Sequence, residues 1–390
     1  MRTILIAWVR PINVQRGGIH RIIRTLLESL PQNGYKCLYL IYKQDMQTFY
    51  INGTEDACNK IGIGELKDYI IDNDVDVIID HHSIFTSEFV RLVKSFRFSV
   101  KIVSVFHSSP LFYEKTFNRL YLWNLAKNNP AIIKRLSAVF KILTFPFWLK
   151  RLKKQISSLY QNNYIYSDKL VLLSEYDIPN IKQYLHDADD RRLVNIPNML
   201  SFAHTSDEDI LKKKKKEVLV VARLYNNEKR IDTILCIWKI IQGRGYDDWI
   251  LRIVGTGTDE KILKEYVAHN RVSNVVFEGR QESESYYEKA SIFMMASQIE
   301  GWGLTLTESM QRGTVVVAFN SYPALHEIIT DGFDGCIVSD NDITAYANKM
   351  ERLMVNKDER EFIAKNALES CQRFAPEKIV KKWIQLVESL

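Results

Sequence analysis

The chain has 390 residues, with 53 Lys and Arg against 47 Asp and Glu, a formal charge of +6, and 46% hydrophobic content. That length exceeds one compact core and fits two domains of a soluble globular protein. No apolar run approaches the ~20 residues of a membrane-spanning helix, and no basic stripe interleaved with aromatics points to nucleic acid. The opening MRTILIAWVRP is charged too soon for a secretory signal and reads as a first strand. Cys37, Cys58, Cys236, Cys336 and Cys371 are scattered without CxxC spacing, which implies reduced thiols in a cytoplasmic protein and no zinc site.

Along the chain, short β-branched runs alternate with amphipathic stretches. The first half holds TILIAW (3–8), KCLYLIY (36–42), VDVII (75–79), VKIVSVF (100–106) and KLVLL (169–173). The second holds VLVVA (218–222), LRIV (251–254), VVF (275–277), SIFMM (291–295) and TVVVA (314–318). Continuous apolar strands between helices predict parallel sheets covered on both faces. Two such series in succession predict an α/β protein of two Rossmann-like, doubly wound domains facing a central cleft. The boundary is expected at Ile196-Pro197-Asn198, giving domains 1–198 and 199–374 and a last helix, 375–390. The run Lys212–Lys216 reads as a solvated approach to the first strand of the second domain.

Residues 113–163 are long for a strand-to-helix connection and hold two amphipathic stretches. Ile132, Leu136, Phe140 and Leu143 repeat at helical spacing beside Lys134, Arg135 and Lys141. After Pro146, Trp148, Leu149, Leu152 and Ile156 continue beside Lys150, Arg151, Lys153 and Lys154. Residues 131–156 thus fit either a peripheral helix on an anionic membrane surface or ordinary core packing with solvated lysines.

The densest chemistry lies in SQIEGWGLTLTESMQRG, where Glu300 and Glu308 are separated by seven residues. Gly301 and Gly303 permit a tight turn in which backbone approaches a ligand, and a helix beginning at Leu304 aims its first amides there. Two carboxylates in that place can accept bonds from sugar hydroxyls while the helix start attracts phosphate. Upstream, Arg223 and Lys229 follow VLVVA, at the strand end where doubly wound folds bind ligands. Two fixed cations, a fork and a point charge, can neutralise a departing diphosphate without a metal. Neither Asp72-Asn73-Asp74 nor Asp187 to Asp190 makes an Asp-x-Asp metal motif at a strand end. In the first domain Gly17 and Gly18 open the helix IHRIIRTLLESL, and His107 follows VKIVSVF. His81 and His82 end the preceding strand and are acceptor-side candidates, with a structural histidine the alternative reading.

Together these pieces resemble the retaining GT-B glycosyltransferases of family 4. The resemblance rests on Gly17-Gly18, FHSSP with His107, IPN at 196–198, ARLYNNEKR with Arg223 and Lys229, IVGTGTDE with Gly255 and Gly257, and EGWGLTLTE. It spans nearly all of the second domain and scattered points of the first. It implies that Arg223 and Lys229 grip the donor diphosphate, helped by amides of Gly303, Leu304 and Thr305, with Gly301 and Trp302 in the same turn. It assigns Glu308 to the ribose hydroxyls, Glu300 to the donor sugar, and Gly17, Gly18 and Gly255 to the donor. His107 would touch sugar or acceptor, and the base would sit near Glu278–Gln281 beside Arg280. It further implies retention by front-face attack, with the leaving phosphate taking the acceptor's proton and no metal or other cofactor. The donor it suggests is a UDP-sugar, and the acceptor a saccharide or lipid-linked saccharide of a capsule or lipopolysaccharide.

Three departures stand out: Trp302 where Phe is commoner, Arg230 where Gly is frequent, and Arg312-Gly313-Thr314 without a proline. Rival readings are a non-hydrolysing nucleotide-sugar epimerase and a catalytically silent sugar-nucleotide-binding protein. The Glu-x7-Glu element speaks against the first, and intact Arg223, Lys229, Glu300 and Glu308 against the second.

Overall fold

A computed structural model of the chain describes residues 1–12, 17–43, 45–51, 59–81, 87–96, 99–203 and 209–390, the side chain of residue 128 excepted. The chain divides into two compact units. The first comprises Met1–Glu114, Leu143–Met199 and Phe374–Leu390; the second comprises Lys115–Ile142 and Leu200–Arg373. His82 and Cys58 lie outside the described residues.

The first unit is built on an eight-stranded sheet. Its strands are β1 (Thr3–Trp8), β2 (Lys36–Tyr42), β3 (Phe49–Ile51), β4 (Asn59–Ile61), β5 (Val75–Asp80), β6 (Lys101–Phe106), β7 (Lys169–Leu172) and β8 (Leu193–Asn195). Their order is β4-β3-β2-β1-β5-β6-β7-β8, and all run the same way except β3, which is antiparallel to both its neighbours. β1 is buried throughout because it lies inside the sheet with both faces covered. Ile4, Ile6 and Trp8 pack on one side with Ile22, Ile23, Leu26 and Leu30 of the helix Gly18–Gln32. Leu5 and Ala7 point the other way, toward Leu66, Ile70, Phe89 and Val90. The last helix, Pro376–Glu388, covers the first of these sides with Ile379, Val380, Trp383 and Val387.

The second unit has six parallel strands, β9 (Lys215–Val221), β10 (Ile250–Val254), β11 (Val275–Gly279), β12 (Ala290–Met295), β13 (Val315–Asn320) and β14 (Cys336–Ser339). Their order is β11-β10-β9-β12-β13-β14. The chain winds outward from β9 in one direction and then outward from β12 in the other, so the order reverses between β9 and β12. Ligands bind beyond the carboxyl ends of strands at such a reversal. Every predicted run is a strand; β3, β4, β8 and β14 were not predicted. Each of these is three or four residues long at a sheet margin, too short to display a period.

Two expectations need correction. Residues 113–163 are not one insertion: 115–142 belong to the second unit, whereas the helix Phe145–Tyr166 belongs to the first. In that helix Ile156, Tyr160 and Tyr164 are core residues packed with Leu170, Leu172 and Ile181, so it follows the core-packing alternative. Nor is the lysine run wholly solvated. Lys214 is half-buried, and its amine turns inward and donates to the carbonyls of Tyr287 (2.7 Å) and Arg312 (2.6 Å) and to the Thr314 hydroxyl (2.9 Å). The burial favours the neutral amine and pushes its pKa well below the ordinary lysine value. Among the described residues no helix is long and apolar enough to cross a membrane.

Candidate active site

The second unit's site begins where β9 ends. Ala222 donates to Val254 O (3.0 Å) and Leu224 to Thr256 O (2.9 Å), so the chain after β9 runs against the loop after β10. That contact explains the glycines there. A Cβ on Gly255, whose φ is +135°, would lie 1.9 Å from the Ala222 carbonyl oxygen, and one on Gly257 would lie 2.3 Å from that of Leu224. Both glycines are demanded by backbone against backbone, whatever else they touch. The amide of Asn226 then donates to Asp259 Oδ2 (2.7 Å), and one helical turn, Asn226–Lys229, follows.

This turn carries the two cations. Arg223 is largely exposed and pairs with Glu228 at 2.8 Å. Lys229 is mostly buried and forms an ion pair with Glu300, on the loop after β12. The backbone reinforces the link, since Gln298 N donates to Glu228 O at 2.7 Å. Arg230 closes the turn in the left-handed region, at φ 49° and ψ 47°, the conformation a glycine takes without strain. Its guanidinium donates to the carbonyls of Ala296 and Ser297 and to Asp340 (2.8 Å). Thus the arginine replaces the frequent glycine by stapling the β9 and β12 loops together.

Beyond Glu300 the chain enters the helix Leu304–Gln311 through Gly303, at φ +96°. A Cβ there would stand 2.7 Å from the Tyr322 hydroxyl, so only glycine fits. Leu304 and Thr305 are half-buried in the first turn, whose amides lack intrahelical acceptors. Trp302 is buried, so its indole lines the interior and its backbone is what the turn can present. Glu308 is buried as well and accepts from the Tyr287 hydroxyl at 3.0 Å. Burial, and then the Glu300 charge, push the Tyr322 phenol well above its ordinary pKa. The helix ends at Arg312, which is buried beneath Phe202 and paired with Glu284, and Gly313 turns the chain at φ +61°. No proline is needed there.

Arg280 is exposed on the loop after β11, two strands from the reversal. Its neighbour Glu278 is engaged by Arg252 at 2.5 Å and by the Tyr286 hydroxyl at 3.3 Å. Among the described residues no group of three or more His, Cys, Asp and Glu side chains is placed to hold a metal ion.

In the first unit, His81 and His107 directly follow β5 and β6, adjacent strands of one sheet, and Gly17 precedes the helix that comes after β1. Gly17 caps its helix at φ +136° and Gly18 is the first helical residue. His81 Nδ1 and His107 Nε2 are 3.0 Å apart, so one ring donates to the other. His81 is buried, and burial, with the neighbouring imidazole second, holds it well below the ordinary histidine pKa and therefore neutral. Residue types at strand ends had marked both histidines as candidates, but not their pairing. Gln298, Tyr322 and the stapling role of Arg230 were missed, because each depends on a loop distant in sequence.

Residues 203–370 match the family model described as glycosyl transferases group 1. The match covers nearly the whole of the second unit's segment Leu200–Arg373. An amylovoran biosynthesis glycosyltransferase of Erwinia amylovora is 28% identical over 224 residues, 56% of this chain and 61% of the relative. A GalNAc-alpha-(1->4)-GalNAc-alpha-(1->3)-diNAcBac-PP-undecaprenol alpha-1,4-N-acetyl-D-galactosaminyltransferase of Campylobacter jejuni is 27% identical over 202 residues, covering 51% of this chain and 56% of the relative. The matched stretches thus span little more than half the length of these curated relatives. Sucrose-phosphate synthase of Thermosynechococcus elongatus shares the fold at a TM-score of 0.71 and 16% identity, over 99% of this chain and 98% of that one. The fold is GT-B, with two Rossmann-like parallel-sheet units.

Proposed function

We propose that the chain is a retaining, metal-independent glycosyltransferase that moves a hexosyl or N-acetylhexosaminyl group from a nucleotide-sugar, a UDP-sugar by family habit. The observation that carries this is the Lys229–Glu300 ion pair at the β9/β12 reversal, beside the glycine-led start of the helix Leu304–Gln311. Lys229 and Arg223 would hold the diphosphate, with the amides of Gly303, Leu304 and Thr305 around it. Glu300 would take hydroxyls of the sugar, Glu308 those of the ribose, and Arg280 would lie near the base. Gly17, Gly18 and His107 are assigned to the donor sugar or acceptor on the resemblance alone.

In this reaction the bond from the anomeric carbon to the diphosphate oxygen breaks. A bond to the acceptor oxygen forms on the same face, and the acceptor proton passes to the departing phosphate. Charge grows on the diphosphate as its bond lengthens, so fixed cations act most strongly in the transition state. The acceptor we favour is a growing lipid-linked saccharide of a cell-surface polysaccharide, in keeping with the names of the relatives, at the cytoplasmic face of a membrane.

Release of UDP from UDP-glucose, UDP-galactose and their N-acetylated counterparts by the purified chain, in EDTA, tests the reading. UDP release in the chelator is expected. Release that appears only with added Mg²⁺ would refute the leaving-group argument, and no release from any donor would refute the donor assignment.

A further inference from the structure

The helix Ile132–Leu143 turns its apolar face outward. Ile132, Ile133, Leu136, Val139 and Phe140 are 69%, 82%, 65%, 44% and 58% exposed. At 3.6 residues per turn these positions form one stripe about 120° wide, and the buried Ala138 lies opposite it. The preceding helix, Arg119–Asn128, adds exposed Leu120 and Trp123, and Arg135 ties the two helices by donating to Ala126 O at 2.8 Å. All these residues belong to the second unit. A stripe of this size on a protein surface marks an interaction site.

Charge selects the partner. From residue 115 to residue 142 the chain has six Lys and Arg and no Asp or Glu. Lys127 is exposed on the face of its helix that carries Leu120 and Trp123, and Arg135 is exposed at the edge of the stripe. A second copy of this surface would bring cation against cation with no carboxylate between. An anionic bilayer offers acyl chains to the stripe and headgroups to these cations. Twelve residues of helix measure about 18 Å, too short for a hydrocarbon core of roughly 30 Å, so the helix would lie in the interface plane.

We infer that these two helices are a docking surface for an anionic lipid bilayer. The same segment is bonded to the loops of the candidate site. Asn227 Nδ2 donates to Thr116 O at 3.1 Å, and Gln298 Nε2 to Lys115 O at 2.8 Å. Docking therefore anchors at the bilayer the segment to which the Lys229 and Glu300 loops are bonded. This consequence rests on the glycosyl-transfer reading; the docking itself does not.

The test is flotation of the full chain with phosphatidylglycerol–phosphatidylcholine vesicles and with phosphatidylcholine alone, in low and high salt. Binding to the anionic vesicles at low salt is expected, with a loss of about tenfold or more in Leu136→Glu/Ile133→Glu and in Lys127→Glu/Arg135→Glu. UDP release should be unchanged in both variants. Absence of binding, or equal binding to neutral vesicles, overturns the inference. So does a solution dimer that Leu136→Glu splits, since the stripe would then belong to a second copy. Vesicle binding by a chain that releases no UDP would leave docking intact and remove the proposed function.

Discussion

The Lys229 ammonium and the Glu300 carboxylate neutralise each other across the reversal of the second sheet, each largely withdrawn from water. Removing one partner therefore does two things: it deletes a charge from the site and strands the other in a partly buried place. Lys229→Ala should lower turnover about 100- to 1,000-fold, the usual cost of losing one such stabiliser. It should also lower the melting temperature. Adding Glu300→Gln to Lys229→Ala should restore much of the melting temperature and none of the turnover. Equal recovery of both would show the pair to be structural only.

Arg230 has a backbone cost and a side-chain gain that substitutions can separate. Its left-handed φ costs about 1–2 kcal/mol for a non-glycine residue. Its bonds to Ala296, Ser297 and Asp340 outweigh that, because charged hydrogen bonds contribute roughly 1.5–3 kcal/mol each. Arg230→Gly sheds the strain with the bonds, whereas Arg230→Ala keeps the strain and loses the bonds. Denaturant titration should rank wild type above Arg230→Gly, and Arg230→Gly above Arg230→Ala by about 1 kcal/mol. Arg230→Gly as stable as wild type would mean the staple contributes nothing.

These cases show what the sequence makes legible. Strands β1, β2, β5, β6 and β9 to β13 announce themselves because buried parallel strands are continuous apolar runs. Arg223, Lys229, Glu300 and Glu308 are visible because they flank such runs at short range. Which of them meet is not, because the Lys229–Glu300 contact joins positions 71 residues apart. For the same reason His81 and His107 read as separate candidates and prove to be partners. The two basic amphipathic stretches look alike in composition, yet one exposes Ile133 and Leu136 while the other buries Ile156 and Tyr160. Periodicity fixes which side chains share a face and is silent on what that face meets.

His81 gives a pH dependence with a definite sign. Its folded-state pKa lies well below 6.5, while in the unfolded chain it titrates near 6.5. Between those values the unfolded state holds the extra proton, so stability is complete above about pH 6.5 and falls as pH drops through it. The slope from this one group is at most about 1.4 kcal/mol per pH unit. Unfolding free energies between pH 5 and 8 should show His81→Gln with a shallower acid decline than wild type. Identical slopes would mean that His81 takes up its proton at the same pH in the folded chain as in the unfolded one.

Gly255 and Gly17 offer a contrast between contact and conformation. Both have φ near +136°, but a Cβ on Gly17 meets nothing within 4 Å, and one on Gly255 meets the Ala222 carbonyl at 1.9 Å. Gly17→Ala bears only the conformational penalty, about 1–3 kcal/mol. Gly255→Ala must in addition push apart the ends of β9 and β10, whose register is fixed by hydrogen bonds up to Val221 and Val254. Overpacking against backbone commonly costs a further 1–3 kcal/mol or more. Gly255→Ala should therefore be the less stable variant, and its loss of donor binding should accompany the loss of stability. Weakened donor binding with an unchanged melting temperature would instead assign Gly255 directly to the ligand.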